Sequence, residues 1–444
     1  MGCRTLIRGG TCVFHDEVVR ANVVVEDNRL ASIDAPKHSR ADRIVEAGGL
    51  YLLPGIVDSH VHFRDPGLTN KEDVHTGSLA AAKSGVTTIL DMPNTIPPTI
   101  TCDRLYEKLD HASRACHVNY GFYIGATTDN LTELQAANRT PGIKIFIGSS
   151  TGNMLVDDQE TLENIFAHTM LPICAHCEDE STVRANAQLL AGGHRYEDHS
   201  AIRDSQAAFI AARRATDLAR RHSHRFHLLH TSTQEECELL TDHCDFITAE
   251  ACPHHLLMDT SSYDQLGALA QVNPALKSSD DCRALWNALK TGALQSIVTD
   301  HAPHTLKEKT QPYPESPSGL PSIENALALM LNEVNRGNCT LSDLAMWMSD
   351  APARIWDMVG KGRIVEGYDA DLVLVDLEKS QTICNQDQVT KCKWSPWDGM
   401  TLTGWPVTTF VQGHIVYDNG TFDESILGLE VPFDHARGGY WATA

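Results

Sequence analysis

The sequence predicts an α/β fold, a (β/α)8 TIM-type barrel joined to a small β domain. Three observations carry this. Between residues 54 and 361, eight strand-like apolar runs alternate with polar loops and amphipathic helical segments, a pattern that implies a parallel sheet closed by eight β/α units. Polar residues recur at the carboxyl ends of those runs, where barrels carry their sites. The two chain ends, 1–53 and 362–444, share another texture, alternating apolar and polar residues around turn signals. They are therefore expected to meet in one small β-sandwich domain.

In chain order, Thr5 to about Leu53 reads as short strands broken at Gly9-Gly10 and Glu26-Asp27-Asn28. The barrel strands follow as Gly55–His60, Val86–Met92, Val118–Gly125, Gly142–Ile147, Leu171–His176, Arg225–His230, Asp245–Glu250 and Gln295–Asp300. At or near their ends stand His60, Asp91, Lys144, His176, His230, Glu250 and Asp300. The segment His304–Pro321, with four prolines at 312, 314, 317 and 321, reads as an irregular loop after the eighth strand. With the loop 149–158 after the fourth, it should rim the mouth of the barrel. Strand texture returns in Ala370–Val375 and Val407–Val411.

The 444-residue length suits a barrel of about 250 residues plus a smaller unit. A composition of 42% hydrophobic and 21% charged residues supplies a large core and gives little sign of disorder. The net charge of −22 argues against nucleic acid or an anionic membrane as partner, because both demand a basic face. Met1-Gly2-Cys3-Arg4 leads into strand-like sequence with no signal peptide pattern, and no apolar run could span a bilayer, so a cytoplasmic location is expected. Thirteen scattered cysteines, an odd number, fit reduced buried thiols better than a disulfide framework. Cys174, Cys177 and Cys252 accordingly read as packing residues.

The chemistry starts at Asp58-Ser59-His60-Val61-His62-Phe63-Arg64. Side chains in extended backbone alternate, so His60 and His62 face the same side and form half a metal site. His176, His230 and Asp300 each end another strand-like run. Imidazole and carboxylate suit zinc, and hydrolytic sites often hold two metals roughly 3.5–4 Å apart. His60, His62 and Asp300 would hold one, His176 and His230 the other, with an anionic group between. Lys144, flanked by Ile143 and Ile145, is a lysine where a barrel strand should be. A buried ammonium is costly, and reaction with CO2 would make it a bridging carbamate. A strand-end lysine reaching solvent, or one in a structural ion pair, is the alternative. Arg64 lies on the His62 face and could grip a carboxylate with two bonds, or pair with Asp65 or Glu72. His254 and His255 read as packing or loop residues as readily as catalytic ones. His222, His224 and His227 read as a solvated surface.

The blocks Asp58–Asp65 with Pro66-Gly67, Gly85-Val86-Thr87-Thr88, Asp91-Met92-Pro93-Asn94-Thr95, Ile143–Phe146, Glu250–His255 and Thr299–His304 together resemble dihydroorotase of the cyclic amidohydrolase superfamily. The resemblance spans the chain, with six motifs in family order. It implies two Zn2+ per chain, with His60 and His62 on the first metal and His176 and His230 on the second. Lys144 carries over as the carbamate bridge, and Asp300 as first-metal ligand and proton shuttle. Some bacterial members use a loop aspartate as the bridge, which leaves Asp157 and Asp158 as alternatives. Arg64, Asn94, Asn273 and His304 match the positions that contact the ring and its carboxylate. The implied reaction is the reversible, zinc-dependent closure of N-carbamoyl-L-aspartate to L-dihydroorotate in pyrimidine biosynthesis. A small molecule is then the main partner, with a homo-oligomer such as a dimer the expected assembly. The rivals are an allantoinase or dihydropyrimidinase-like cyclic amidase, whose substrates lack the ring carboxylate that Arg64 and Asn94 would clamp, and a non-catalytic scaffold, which would have lost ligands.

Overall fold

The computed structural model describes residues 4–148, 154–190, 195–242 and 244–442. Its centre is a barrel of eight parallel strands: Ile56–Val61, Val86–Asp91, Asn119–Phe122, Ile143–Ile147, Ile173–Cys177, Phe226–Leu228, Ile247–Ala251 and Ser296–Ile297. Each falls inside or within a residue of a predicted run. All eight are buried along their whole length, which is why they read as near-continuous apolar sequence rather than alternation. Neighbours pair in parallel register, with Ile143 opposite Ile173 and Phe226 opposite Ile247. The ring closes where Val61 bridges His301 and the His62 N–H donates to the His301 carbonyl at 2.8 Å. Asp58 fastens the same seam by accepting from the Thr299 N–H at 3.1 Å and hydroxyl at 2.6 Å.

The sixth and eighth strands are shorter than predicted. Beyond Leu228 and Ile297 the chain leaves the ladder, and His230 and Asp300 take left-handed backbone, with φ of 34° and 45°.

The helices start where side chains satisfy their free N–H groups. Asp204 caps the longest, Ser205–His222, and that helix buries Ala208, Ala211, Ala212, Ala215 and Ala219, small residues that let it lie close to the barrel.

Both chain ends form one nine-stranded sheet. The join is Tyr51–Pro54, parallel to Thr5–Val13 on one side and antiparallel to Leu372–Thr382 on the other. Part of the carboxyl-terminal stretch lies elsewhere. Trp394 donates its indole N–H to the His304 carbonyl at 2.7 Å, and residues beyond Phe422 run across the amino-terminal end of the barrel, with Glu430 bridging Tyr120 and Trp441 bonding the Ile247 carbonyl. Among the described residues no helix is long and apolar enough to cross a membrane. The twelve described cysteines are free thiols.

Candidate active site

At the carboxyl ends of the strands a cleft of about 310 Å³ opens, and all ten site residues read from the sequence line it: His60, His62, Arg64, Asn94, Lys144, His176, His230, Asn273, Asp300 and His304. They come from strands one, two, four, five, six, seven and eight and from the loops beyond them. Pro317, Ser318 and Gly319 complete the wall, which places the proline-rich loop at the mouth. Of the loop 149–158, residues 149–153 lie outside those described.

Two imidazole pairs converge. Nε2 of His60 and of His62 lie 3.3 and 3.1 Å from Oδ1 of Asp300. Across the cleft, His176 Nδ1 stands 3.0 Å from His230 Nε2. Three of the four inward nitrogens are aimed by what holds the other ring nitrogen. His60 Nδ1 donates to Glu250 Oε1 at 2.6 Å, His62 Nδ1 to Asn94 Oδ1 at 2.7 Å, and His176 Nε2 to Glu178 Oε2 at 3.0 Å. Such outer partners are how metal-ligating histidines are fixed in tautomer and orientation. His230 Nδ1 is buried without a partner among the described residues.

The electrostatics suit a cation. Burial pushes His62 down to about 4, lowers His176 and holds His230 well below the usual histidine range, which favours the neutral ring with its lone pair. Burial would push Asp300 up, but His60, His62 and His230 around it prevail and hold its carboxyl well below the ordinary value. Glu250 is likewise kept low, at about 2, by His60 and His227 against its burial.

Lys144 is 1% exposed. Burial lowers its pKa, and its Nζ sits 4.5 Å from the Phe146 ring centre. Among the described residues it has no carboxylate at ion-pair distance. The solvent-reaching and ion-paired alternatives therefore do not describe it. Asp157 and Asp158 are engaged elsewhere: Asp157 pairs with Arg214 at 3.0 Å, and Asp158 caps the helix Gln159–His168 by accepting from the Thr161 N–H.

Arg64 is buried with φ of 62° and donates Nε to the Pro303 carbonyl at 3.1 Å. It pairs with neither Asp65, which faces His111 at 2.9 Å, nor Glu72, which binds Thr390 and the Lys391 N–H. Next to it, His304 Nδ1 accepts from Lys71 Nζ at 3.0 Å, so its Nε2 carries the proton and donates to the Ser318 carbonyl at 3.0 Å. Asn273 is held by His199, whose Nε2 is 3.0 Å from its side-chain oxygen.

Some strand-end residues lie outside this cluster. Asp91 turns away to accept the Phe63 N–H and bind Lys108. The expected solvated histidines also differ. His222 pairs with Glu163 near the surface, but His224 is buried against Thr169, and His227 is 2% exposed and donates to Glu250 at 3.0 Å. The connection ends sooner than the run of basic residues suggests, and His227 already belongs to the sixth strand. Sequence reading gave no role to Glu178, Lys71, His199 or Asn94 as a partner of His62. Only Glu178 left a signal, two residues past His176 and therefore on its face.

Three comparisons bear on this geometry. Residues 51–416 match the amidohydrolase family model. The chain is 33% identical over 411 residues to a dihydroorotase of Methanosphaera stadtmanae, covering 90% of this chain and 94% of the relative. It is 32% identical to one of Methanothermobacter thermautotrophicus, covering 95% and 96%. Among solved structures, the L-hydantoinase (dihydropyrimidinase) of Arthrobacter aurescens superposes with a TM-score of 0.92 at 29% identity, covering 97% of this chain and 98% of that one.

Proposed function

The chain belongs to the amidohydrolase family, in its dihydroorotase-like part, and from that premise we propose that it is a dihydroorotase, interconverting N-carbamoyl-L-aspartate and L-dihydroorotate. One observation carries the choice of substrate. Arg64 is a buried guanidinium in the cleft wall that faces no carboxylate at ion-pair distance among the described residues. A buried charge without a counter-charge beside it is costly, and a ring carboxylate delivered by the substrate would supply one. Asn94, Asn273 and His304 complete the polar wall around it.

The donor set fits two zinc ions. His60, His62 and Asp300 would hold one and His176 and His230 the other, with Lys144 as a carbamate between them. Four imidazoles with outer hydrogen-bond partners or an orphaned ring nitrogen are groups prepared for metal. Bound there, the ions supply Lewis acidity toward the ring carbonyl and an activated water. The rest is done by the chain. Arg64 and its neighbours orient the ring by its carboxylate. Asp300, kept ionised, accepts a proton at its carboxylate and returns it to the ring nitrogen as the amide bond breaks, and the reverse order closes the ring. Pro317, Ser318 and Gly319 wall the cleft beside these groups.

Elemental analysis tests the centre. The double variant His60→Ala/His230→Ala should contain two fewer zinc ions per chain than the parent, because one ligand of each metal is gone. A loss of only one would sink the binuclear reading.

Substrate choice is tested at Arg64. Arg64→Met should raise KM for dihydroorotate by roughly 30- to 1000-fold, since truncating one partner of a buried charge pair costs about 2–4 kcal/mol. Turnover of uncharged dihydropyrimidines, slow throughout, should change little. Equal losses on both would assign Arg64 to the fold or the metal centre and favour the hydantoinase-like reading that the structural neighbour suggests.

A further inference from the structure

Behind the cleft, where the seventh strand ends, lies a second set of soft donors. Cys252 leaves the strand Ile247–Ala251 in extended backbone and leads into the short helix Pro253–Leu257. Cys252, His254 and His255 are 0%, 1% and 3% exposed, and one ligand atom from each lies within 4.8 Å of the others. None of the three lines the cleft.

Their hydrogen bonding is what a packing role does not explain. A neutral imidazole has one N–H and one lone pair to satisfy, yet neither ring nitrogen of His254 has a partner among the described residues. His255 donates Nε2–H to the Pro274 carbonyl at 2.9 Å, which leaves Nδ1 as a bare, buried lone pair, also without a partner. The two rings lie with centres 4.3 Å apart. The Cys252 thiol makes no hydrogen bond among the described residues. Three buried donors thus converge, and one of them already has the carbonyl partner that orients a ligating histidine.

We infer that Cys252, His254 and His255 form a separate mononuclear zinc site, distinct from the cleft and raising the expected content to three ions per chain. One thiolate and two imidazoles are the donors zinc takes, with water in the fourth tetrahedral position, and the absence of carboxylates among them disfavours calcium and magnesium. The ion would tie the end of the seventh strand to the short helix. Through His255 it would also steady Pro274, the neighbour of Asn273 in the cleft wall. The inference does not depend on the reaction assigned to the cleft.

Cobalt(II) added to metal-stripped full-length protein tests it directly. The donors assigned to the cleft include no sulfur, so a thiolate-to-cobalt charge-transfer band in the near ultraviolet reports this site alone. The band should appear, vanish in Cys252→Ser, and persist in Cys174→Ser and Cys177→Ser, whose thiols lie on the fifth strand. Zinc content should fall by one ion in Cys252→Ser and equally in His254→Gln, which keeps the readout available if the first variant does not fold. Fully cobalt-loaded protein without the band, or a band that survives Cys252→Ser, overturns the site. Failure of the cleft to hold two ions would change the metal count without touching the band, so the two readings fail separately.

Discussion

Lys144→Ala should lose the cleft metals and activity together. The lysine is buried, its pKa lowered by that burial, and among the described residues no carboxylate lies at ion-pair distance from it. An ammonium there would repel two adjacent dications. On the proposed reading a neutral amine would instead attack CO2, form the N–C bond and release a proton, giving an anion with two oxygens that could ligate the metals. Alanine removes that anion and leaves two cations facing each other with one fewer protein ligand each. A short carboxylic acid in solution should restore part of both metal and turnover by entering the vacated space. Stripped wild-type protein should recover faster with zinc and bicarbonate than with zinc in CO2-depleted buffer. Normal turnover and unchanged zinc in Lys144→Ala would mean that the bridge comes from another group.

Asp300→Asn should collapse turnover by roughly 10²–10⁴-fold, the usual value of a positioned proton carrier and equivalent to about 3–5 kcal/mol of barrier. The asparagine keeps size and an oxygen toward His60 and His62 but cannot take a proton. Fold and much of the metal should survive, measured by circular dichroism and elemental analysis alongside the rate. The surrounding histidines hold Asp300 well below its ordinary pKa, so the wild-type carboxylate is ionised across the neutral range and its role needs no pH adjustment. A near-normal rate with both ions bound would remove Asp300 from proton transfer.

The barrel was legible because its strands are buried on both faces and end in residues that no core requires. His60, Lys144, His176, His230 and Asp300 each interrupt an apolar run at a place where polarity has to be chemical. The outer partners were harder to read. Glu250 stands at a strand end, but its bonds to His60 and His227 depend on strands 190 and 23 residues away in sequence. Lys71 meets His304 across 233 residues. His227 misled because a basic helix end and a short strand sit side by side in sequence, and only the sheet decides which side of the junction a residue belongs to. Cys252 reads as packing and His254 as packing or loop as readily as catalytic, since nothing local reveals that both nitrogens of a buried ring lack partners among the described residues.

Arg64, His230 and Asp300 share a property that sets the proposed function against stability. All three hold left-handed backbone, which costs a residue with a side chain on the order of 1–3 kcal/mol and glycine almost nothing. Selection for stability alone would therefore replace each with glycine. On the proposed reading, what their side chains do in the cleft outweighs that cost. Were the proposed activity lost, glycine at any of the three would raise stability at no functional cost.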